Sequence, residues 1–348
     1  MGTRALVLLP DPVGRRRSSG SDREIAQPVK PYDPIPLDDI RAAQKRIDGA
    51  LVRTPLVPLR VDDAPAEIYL KLENLQPGGS FKVRGAYNAL ASLSPEELAA
   101  GVWTVSAGNM AQGLAWCARQ RGIPCTAIVP EQAPETKLAN ITRLGASYIK
   151  VPFHEFEQTF ITRRHDGVKG RLIHPFSDPS VMAGNGTIGL EILEDLPDVD
   201  AVVIAYAGGG LSCGIGSAIR AAKPDTRLYA AEVDTGAPFA ASMAAGRPVV
   251  VEHTPTFVDG ISGTILLEEM WPLASTLMDG SLVSTLEETA AAVRFMVERN
   301  RVVAEGAGAA SVAAALAGKA GAGKVACVVS GGNIDSARLV KILQGGLS

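Results

Sequence analysis

The sequence predicts an α/β protein of two domains, each an open, mainly parallel, twisted sheet with helices on both faces. From Pro36 onward, short apolar runs with a two-residue period alternate with stretches of helical period, the signature of repeated βαβ units. Glycine-bearing loops follow several of the apolar runs and lead into helices, as at the strand ends of such sheets. The chain has 348 residues, 46% of them hydrophobic, which suffices for one large core or two linked ones, and two are expected.

Residues 1–35 read differently and are expected to form a disordered extension. The apolar run Ala5–Leu9 is too short to span a bilayer, and Arg15-Arg16-Arg17 follows it instead of preceding it, the wrong order for a secretory signal. Leu6 stands where a myristoylation signal needs Ser or Thr. Asp38-Asp39 can then cap a helix with Ile40, Ala43 and Ile47 on one face, ended by Gly49. Ile68–Glu73 alternates as a strand, and the turn formers Asn74–Ser80 lead to a helix starting near Lys82. Val102–Val105 reads as a strand before Ser106-Ala107-Gly108-Asn109-Met110 and a helix to Arg121. Strand Thr126–Val129, helix Glu135–Leu144 and strand Tyr148–Val151 complete this series. A second series runs through helix Thr187–Leu196, strand Ala201–Ala205, a glycine loop, a helix to Ala222 and strand Leu228–Val233. Helices Leu286–Asn300 and Ala309–Ala317 and strand Val325–Val329 close the pattern.

A net charge of −3 with mixed signs provides no basic stripe, so neither nucleic acid nor an acidic membrane is an expected partner. Cys117, Cys125, Cys213 and Cys327 show no CxxC spacing and lie in apolar segments, as reduced thiols of a cytoplasmic protein would. Neither disulfides nor zinc is expected.

The chemistry concentrates in the loops. Lys82 sits at a strand-to-helix junction, where a lysine can act as a Schiff-base nucleophile, bind phosphate or be an ordinary surface residue. Ala207-Gly208-Gly209-Gly210-Leu211 follows the apolar strand and opens a helix, so its backbone amides can converge on a phosphate. A dinucleotide fingerprint fails there, because Cys213 stands where the third glycine belongs, and a nicotinamide dehydrogenase is disfavoured. Gly318–Lys324 has P-loop spacing, but Val325 replaces the required hydroxyl residue and the segment leads into a strand, so it reads as a surface turn. Ser330-Gly331-Gly332-Asn333 closes an apolar strand and opens a helix, a third ligand-facing turn.

Taken in order, Ser80-Phe81-Lys82-Val83-Arg84-Gly85-Ala86, Ser106-Ala107-Gly108-Asn109, Gly208-Gly209-Gly210-Leu211 and Ser330-Gly331-Gly332-Asn333 resemble the signature loops of fold-type II pyridoxal-phosphate enzymes. The likeness extends from Ile40 to the C-terminus and is greatest to the threonine/serine dehydratase group, which includes serine racemase. His174-Pro175-Phe176, Ala183–Glu191 and Glu305–Ala309 support it. The resemblance implies the tryptophan synthase β-like fold, with residues 36–101 and 182–348 as the cofactor domain and 102–181 as the smaller, substrate-side domain. It implies pyridoxal 5'-phosphate as cofactor and elimination of the β-hydroxyl from an amino acid such as L-threonine, L-serine or a bulkier analogue, giving a 2-oxo acid and ammonia. Lys82 would carry the cofactor and remove the Cα proton. Gly208, Gly209, Gly210 and Leu211 would bind its phosphate, Asn109 the ring hydroxyl, Phe81 the ring flank and Ser330 the pyridine nitrogen. Ser106, Ala107, Gly108, Asn109 and Met110 would bind the substrate carboxylate.

The family pattern is not complete. Met110 replaces a histidine, Asn185 a glutamine and Ala207 the first of four glycines. In related enzymes a divalent ion is held by a segment matching Glu232–Pro238; here Pro238 replaces a carboxylate, leaving Glu232 and Gly236 for a cation, at most a weakly held monovalent one. No regulatory domain is expected, since the sequence ends at Ser348, soon after Asn333, and a homo-oligomer is expected. A β-replacement synthase or a racemase on the same cofactor, or an inactive ligand-binding homologue, are the competing readings.

Overall fold

The computed structural model describes residues 30–347. In chain order its strands are β1 (Leu56–Pro58), β2 (Glu67–Leu72), β3 (Val102–Val105), β4 (Cys125–Pro130), β5 (Ser147–Val151), β6 (Arg171–Leu172), β7 (Ala201–Ala205), β8 (Arg227–Val233), β9 (Gly280–Ser284) and β10 (Lys324–Val329). Six form a sheet in the order β1-β2-β10-β7-β8-β9 and four a second in the order β5-β4-β3-β6. Only β1 pairs antiparallel; the other neighbours are parallel. The predicted α/β class with two mainly parallel sheets is therefore the observed one.

The two-residue period of the central strands explains why both faces of the large sheet are covered. In β7, Val202 and Ile204 join one apolar core while Ala201, Val203 and Ala205 join the other. β10 divides in the same way, with Ala326 and Val328 on one side and Val325, Cys327 and Val329 on the other. Because β10 lies between β2 and β7, with Val329 opposite Leu72, the loops that leave these strands emerge together. That is the switch-point crevice of an open parallel sheet.

A third core lies against the four-stranded sheet and contains Leu114, Leu138 and Ile141. The helix Lys82–Ala91 leaves the large sheet after β2, yet its Val83, Ala86 and Leu90 are buried in this third core. Burying each of the larger two side chains stabilises the fold by about 1.5–3 kcal/mol. The packing fixes Lys82, the first residue of that helix, on the seam between the two sheets.

Several expectations are corrected. The first helix, Leu37–Ile47, buries Ile40, Ala43 and Ile47 as expected, but Pro36 is its cap and no side chain caps it; Asp38 and Asp39 lie in its first turn. Residues 30–35 are docked, not disordered: Ile35 is buried, its amide donates to Ser217 Oγ at 3.0 Å, and the Tyr32 amide donates to the Glu269 carbonyl at 3.2 Å. The rest of the expected extension lies outside the described residues. The helix expected from Thr187 begins at Pro179, capped by Asp178, and the helix from Leu286 ends at Phe295 in a π-helical turn, Met296–Asn300. A helix the sequence reading omitted, Phe153–Thr162, packs beside the four-stranded sheet. All four cysteines are buried free thiols.

Candidate active site

Three of the four loops, those at Lys82, Asn109 and Ser330, are stitched together by backbone and amide bonds, and the glycine loop borders the same cleft. The Phe81 amide donates to the Ser330 carbonyl at 3.0 Å, and the Gly332 amide donates to the Gly79 carbonyl at 2.9 Å. Asn333 Nδ2 donates both to the Gly78 carbonyl at 2.7 Å and to Asn109 Oδ1 at 2.8 Å. Asn109 Nδ2 in turn donates to Glu305 Oε1 at 2.6 Å, and the Glu305 amide donates to the Gly331 carbonyl at 3.1 Å. The loops enclose a cleft of about 740 Å³ bordered by Phe81, Lys82, Ser106, Ala107, Gly108, Asn109, Met110, Gly208, Gly209, Gly210, Leu211 and Ser330. The structure thus brings every residue expected at the cofactor and carboxylate sites to one cavity.

Lys82 Nζ donates to the Pro175 carbonyl at 2.6 Å and lies 5.1 Å from the centre of the Phe81 ring. It has no carboxylate partner among the described residues, and burial lowers its pKa to about 8. A lysine at about 8 is neutral in about a tenth of molecules at pH 7, against a few in ten thousand at the ordinary value. The amine is therefore primed as a nucleophile and base.

Behind it lies a buried charge network. Arg84, two residues further along the same helix, donates from Nε and Nη2 to Glu73 at 2.8 and 2.7 Å, and from Nη1 and Nη2 to Glu191 at 2.6 and 2.8 Å. Lys71 Nζ donates to Glu191 at 2.5 Å and to the Thr54 carbonyl at 2.6 Å, and Thr54 Oγ1 donates to Glu73 at 2.5 Å. Burial disfavours the Arg84 charge, but the two carboxylates outweigh it and raise its pKa above the ordinary value. The network joins the end of β2, the Lys82 helix and the helix Pro179–Asp195, and so locks the lysine's backbone in place.

Across the cleft, the glycine loop opens the helix Gly210–Ala222, whose first amides have no partner within the helix. A Cβ on Gly208 would stand 2.1 Å from the Phe176 ring, and one on Gly210 would stand 2.7 Å from Phe176. Only glycine fits at either place. Asn185 Nδ2 donates to the Gly210 carbonyl at 3.1 Å, so the asparagine that departs from the family pattern still braces this loop, while its Oδ1 has no partner. On the opposite lip, Ser106 Oγ accepts from the Gly108 amide at 3.1 Å and shapes the entry to the helix Asn109–Gln120. These amide-rich helix starts border the same cleft as the lysine and suit two anions.

Glu305 is the functional-site candidate that residue reasoning missed. Its carboxyl is buried beside Asn109, and burial raises its pKa to about 7 against the opposing Asn109 hydrogen bond. The available signal was an acid directly before the small-residue helix Gly306–Leu316.

Met110 borders the cleft, but its side chain is only 1% exposed and belongs to the third core, so the thioether is used mainly in packing. Glu232 and Gly236 lie away from the cleft. Glu232 accepts from the Phe239 and Ala240 amides, each at 2.8 Å, and from Ser281 Oγ at 2.6 Å, which makes it an anchor for the start of the helix Pro238–Ala245.

The cavity fits pyridoxal phosphate on its own chemistry. It has one primed lysine, a loop where side chains are sterically barred, a neutral serine at residue 330, and an orphaned buried Asn185 oxygen beside the loop. Residues 47–331 match the family model described as pyridoxal-phosphate dependent enzyme. The chain is 42% identical to the L-threonine ammonia-lyase of Thermotoga maritima over 90% of this chain and 79% of that one. It is 37% identical to the catabolic L-threonine dehydratase TdcB of Escherichia coli K12, over 89% and 97% of the two chains. Its fold matches maize serine racemase with a TM-score of 0.82 at 32% identity, covering 90% of this chain and 98% of that one. It matches the threonine deaminase of T.th. with a TM-score of 0.80 at 34% identity, covering 86% and 98%. With its signature loops gathered around Lys82 and its sequence matched nearly end to end, the chain belongs to the family of pyridoxal-phosphate dependent enzymes.

Proposed function

We propose that the protein is an ammonia-lyase that eliminates water from a β-hydroxy-α-amino acid and releases a 2-oxo acid and ammonia. The observation that carries this reading is Lys82, held at a pKa of about 8, with no acid partner among the described residues, in the cleft that all four loops border. The threonine ammonia-lyase and dehydratase names of its relatives support it.

Pyridoxal phosphate, when bound, supplies an electron sink for the charge left on Cα. The chain's own residues do the rest. The amides of Gly208–Leu211 would hold the phosphate, Asn109 would meet the ring hydroxyl and Phe81 would pack beside the ring. Ser330 would meet the pyridine nitrogen with a neutral hydroxyl. The amides and hydroxyl of Ser106–Met110 hold the substrate carboxylate at a helix start. Lys82, as a neutral amine, takes the proton from Cα; the electron pair left there closes a Cα–Cβ double bond as the β-hydroxyl takes up a proton and leaves as water, and the released enamine is hydrolysed by water to the 2-oxo acid and ammonia. In this reading residues 36–101 and 182–348 form the cofactor-binding domain and 102–181 the smaller, substrate-side domain. The same reading makes the protein a cytoplasmic homo-oligomer acting on a free amino acid. Among the described residues, no helix is long and apolar enough to cross a membrane.

The test is 2-oxo acid formation from L-threonine and L-serine by enzyme loaded with pyridoxal phosphate. Product from either supports the reading, and none from any β-hydroxy amino acid overturns it.

A further inference from the structure

The part of the cleft beyond the lysine is aromatic. Phe156 and Phe160, one helical turn apart on Phe153–Thr162, and Phe176 all border it, and all three are half-buried. The strip begins at the catalytic amine: Pro175, whose carbonyl accepts from Lys82 Nζ at 2.6 Å, is followed directly by Phe176. The Phe160 ring lies 5.4 Å from that of Phe176 and 4.9 Å from the ring of His174, which is itself buried. Phe156 extends the strip by a further turn. Behind it, Phe156 and Phe160 pack against a small core of Trp103, Val105, Ile128 and Val151, and both also border the cavity.

Such a surface has a ligand consequence. Apolar rings held partly in water inside a cleft gain by being covered, and aromatic rings favour another ring in an offset or edge-to-face approach. A hydroxymethyl or methyl group ends one bond beyond Cβ and leaves the outer strip bare. A planar substituent on Cβ has the apolar area to cover it. A cavity of about 740 Å³ is in the range that holds drug-sized ligands, about 300–1,000 Å³, and is ample for cofactor and substrate together.

We infer that the site selects β-hydroxy-α-amino acids whose β-carbon carries an aryl or extended apolar group, with Phe156 and Phe160 as the specificity-determining residues. This inference rests on the elimination reading above and narrows it to a substrate class.

The experiment compares kcat/KM of the cofactor-loaded enzyme for L-threo-β-phenylserine, L-threonine and L-serine. Binding of the unreactive L-phenylalanine and L-alanine is measured in parallel by calorimetry. Phenylserine is expected to exceed threonine by at least about tenfold, equivalent to about 1.4 kcal/mol, and phenylalanine to bind more tightly than alanine. Phe156→Ala and Phe160→Ala should each reduce the phenylserine-to-threonine ratio severalfold, while Phe156→Leu, which keeps the apolar volume, should retain most of it. Oxo acid from threonine with no aryl preference, or with ratios unmoved by either alanine variant, overturns the inference and leaves the elimination reading standing. Oxo acid from none of the three removes both.

Discussion

Replacing Arg84 by alanine tests whether the buried charge network is what fixes the active lysine. The guanidinium makes four hydrogen bonds to Glu73 and Glu191 and a fifth, from Nη1 to Thr187 Oγ1 at 3.1 Å. In the variant both carboxylates stay buried. Glu191 keeps Lys71, but Glu73 keeps only the Thr54 hydroxyl. Removing one partner from a buried ion pair costs about 3–5 kcal/mol, against a total stability of about 5–15 kcal/mol for a folded domain. The urea midpoint of the apoenzyme should fall accordingly. Adding Glu73→Gln to Arg84→Ala should restore part of the loss, since it removes the unmatched charge, with a coupling of about 1–3 kcal/mol. The acid limb should also move. Burial pushes the Glu191 carboxyl up, but Arg84 and Lys71 outweigh it and hold its folded pKa below 4.5. Its contribution is therefore present above pH 4.5 and is lost as pH falls through the lower folded value, so Arg84→Ala should unfold at higher pH than wild type. A loss under about 1 kcal/mol, or strict additivity in the double variant, would refute the reasoning.

Glu305 gives the opposite pH dependence: its folded pKa of about 7 lies above the unfolded 4.5, so its contribution is full below pH 4.5 and lost as pH rises through 7. Glu305→Gln should remove about 3 kcal/mol of that decline, read from apoenzyme urea midpoints between about pH 5 and about pH 8. Chelator treatment should leave elimination within about twofold, because Glu232 already accepts three hydrogen bonds; activity lost and then restored by Mg²⁺ but not K⁺ would reverse this. D-Serine formation from L-serine should be far slower than elimination, since Lys82 is the base in this account and Ala107, which also borders the cleft, has no exchangeable side-chain proton, and chiral chromatography of the products measures it. Met110→His should cost about 1–3 kcal/mol through a buried polar ring and leave the substrate ranking unchanged, as denaturation and the substrate panel would show.

The strands were legible because β7 and β10 are apolar on both faces and end in glycine loops, and the loops because their order matches a known set. Lys82, Asn109, the glycine loop and Ser330 could therefore be placed at one cavity from sequence alone. The start of the helix Pro179–Asp195 was not legible. Its Gly184, Gly186 and Gly189 each lower helix propensity by up to about 1 kcal/mol, yet close packing overrides this. A Cβ on Gly184 would stand 2.4 Å from the Arg84 carbonyl, and one on Gly214 of the facing helix 2.3 Å from the Met182 carbonyl. The aromatic strip was hidden for a related reason. The Phe153–Thr162 helix is short, and which of its phenylalanines reach the cleft depends on how it crosses the four-stranded sheet. The role of Glu305 is not legible locally, because nothing near it in sequence shows that Asn109, far away in the chain, will meet its carboxyl.

The central claim, that Lys82 is the residue on which the chemistry is built, is tested most directly by reducing the cofactor-loaded enzyme with borohydride and mapping the modified peptide by mass spectrometry. The account predicts a pyridoxyl group on Lys82 and on no other lysine, with both the label and 2-oxo acid formation from L-threonine lost in Lys82→Ala. A label on a different lysine, or a Lys82→Ala enzyme that still forms the oxo acid at a comparable rate, would contradict it.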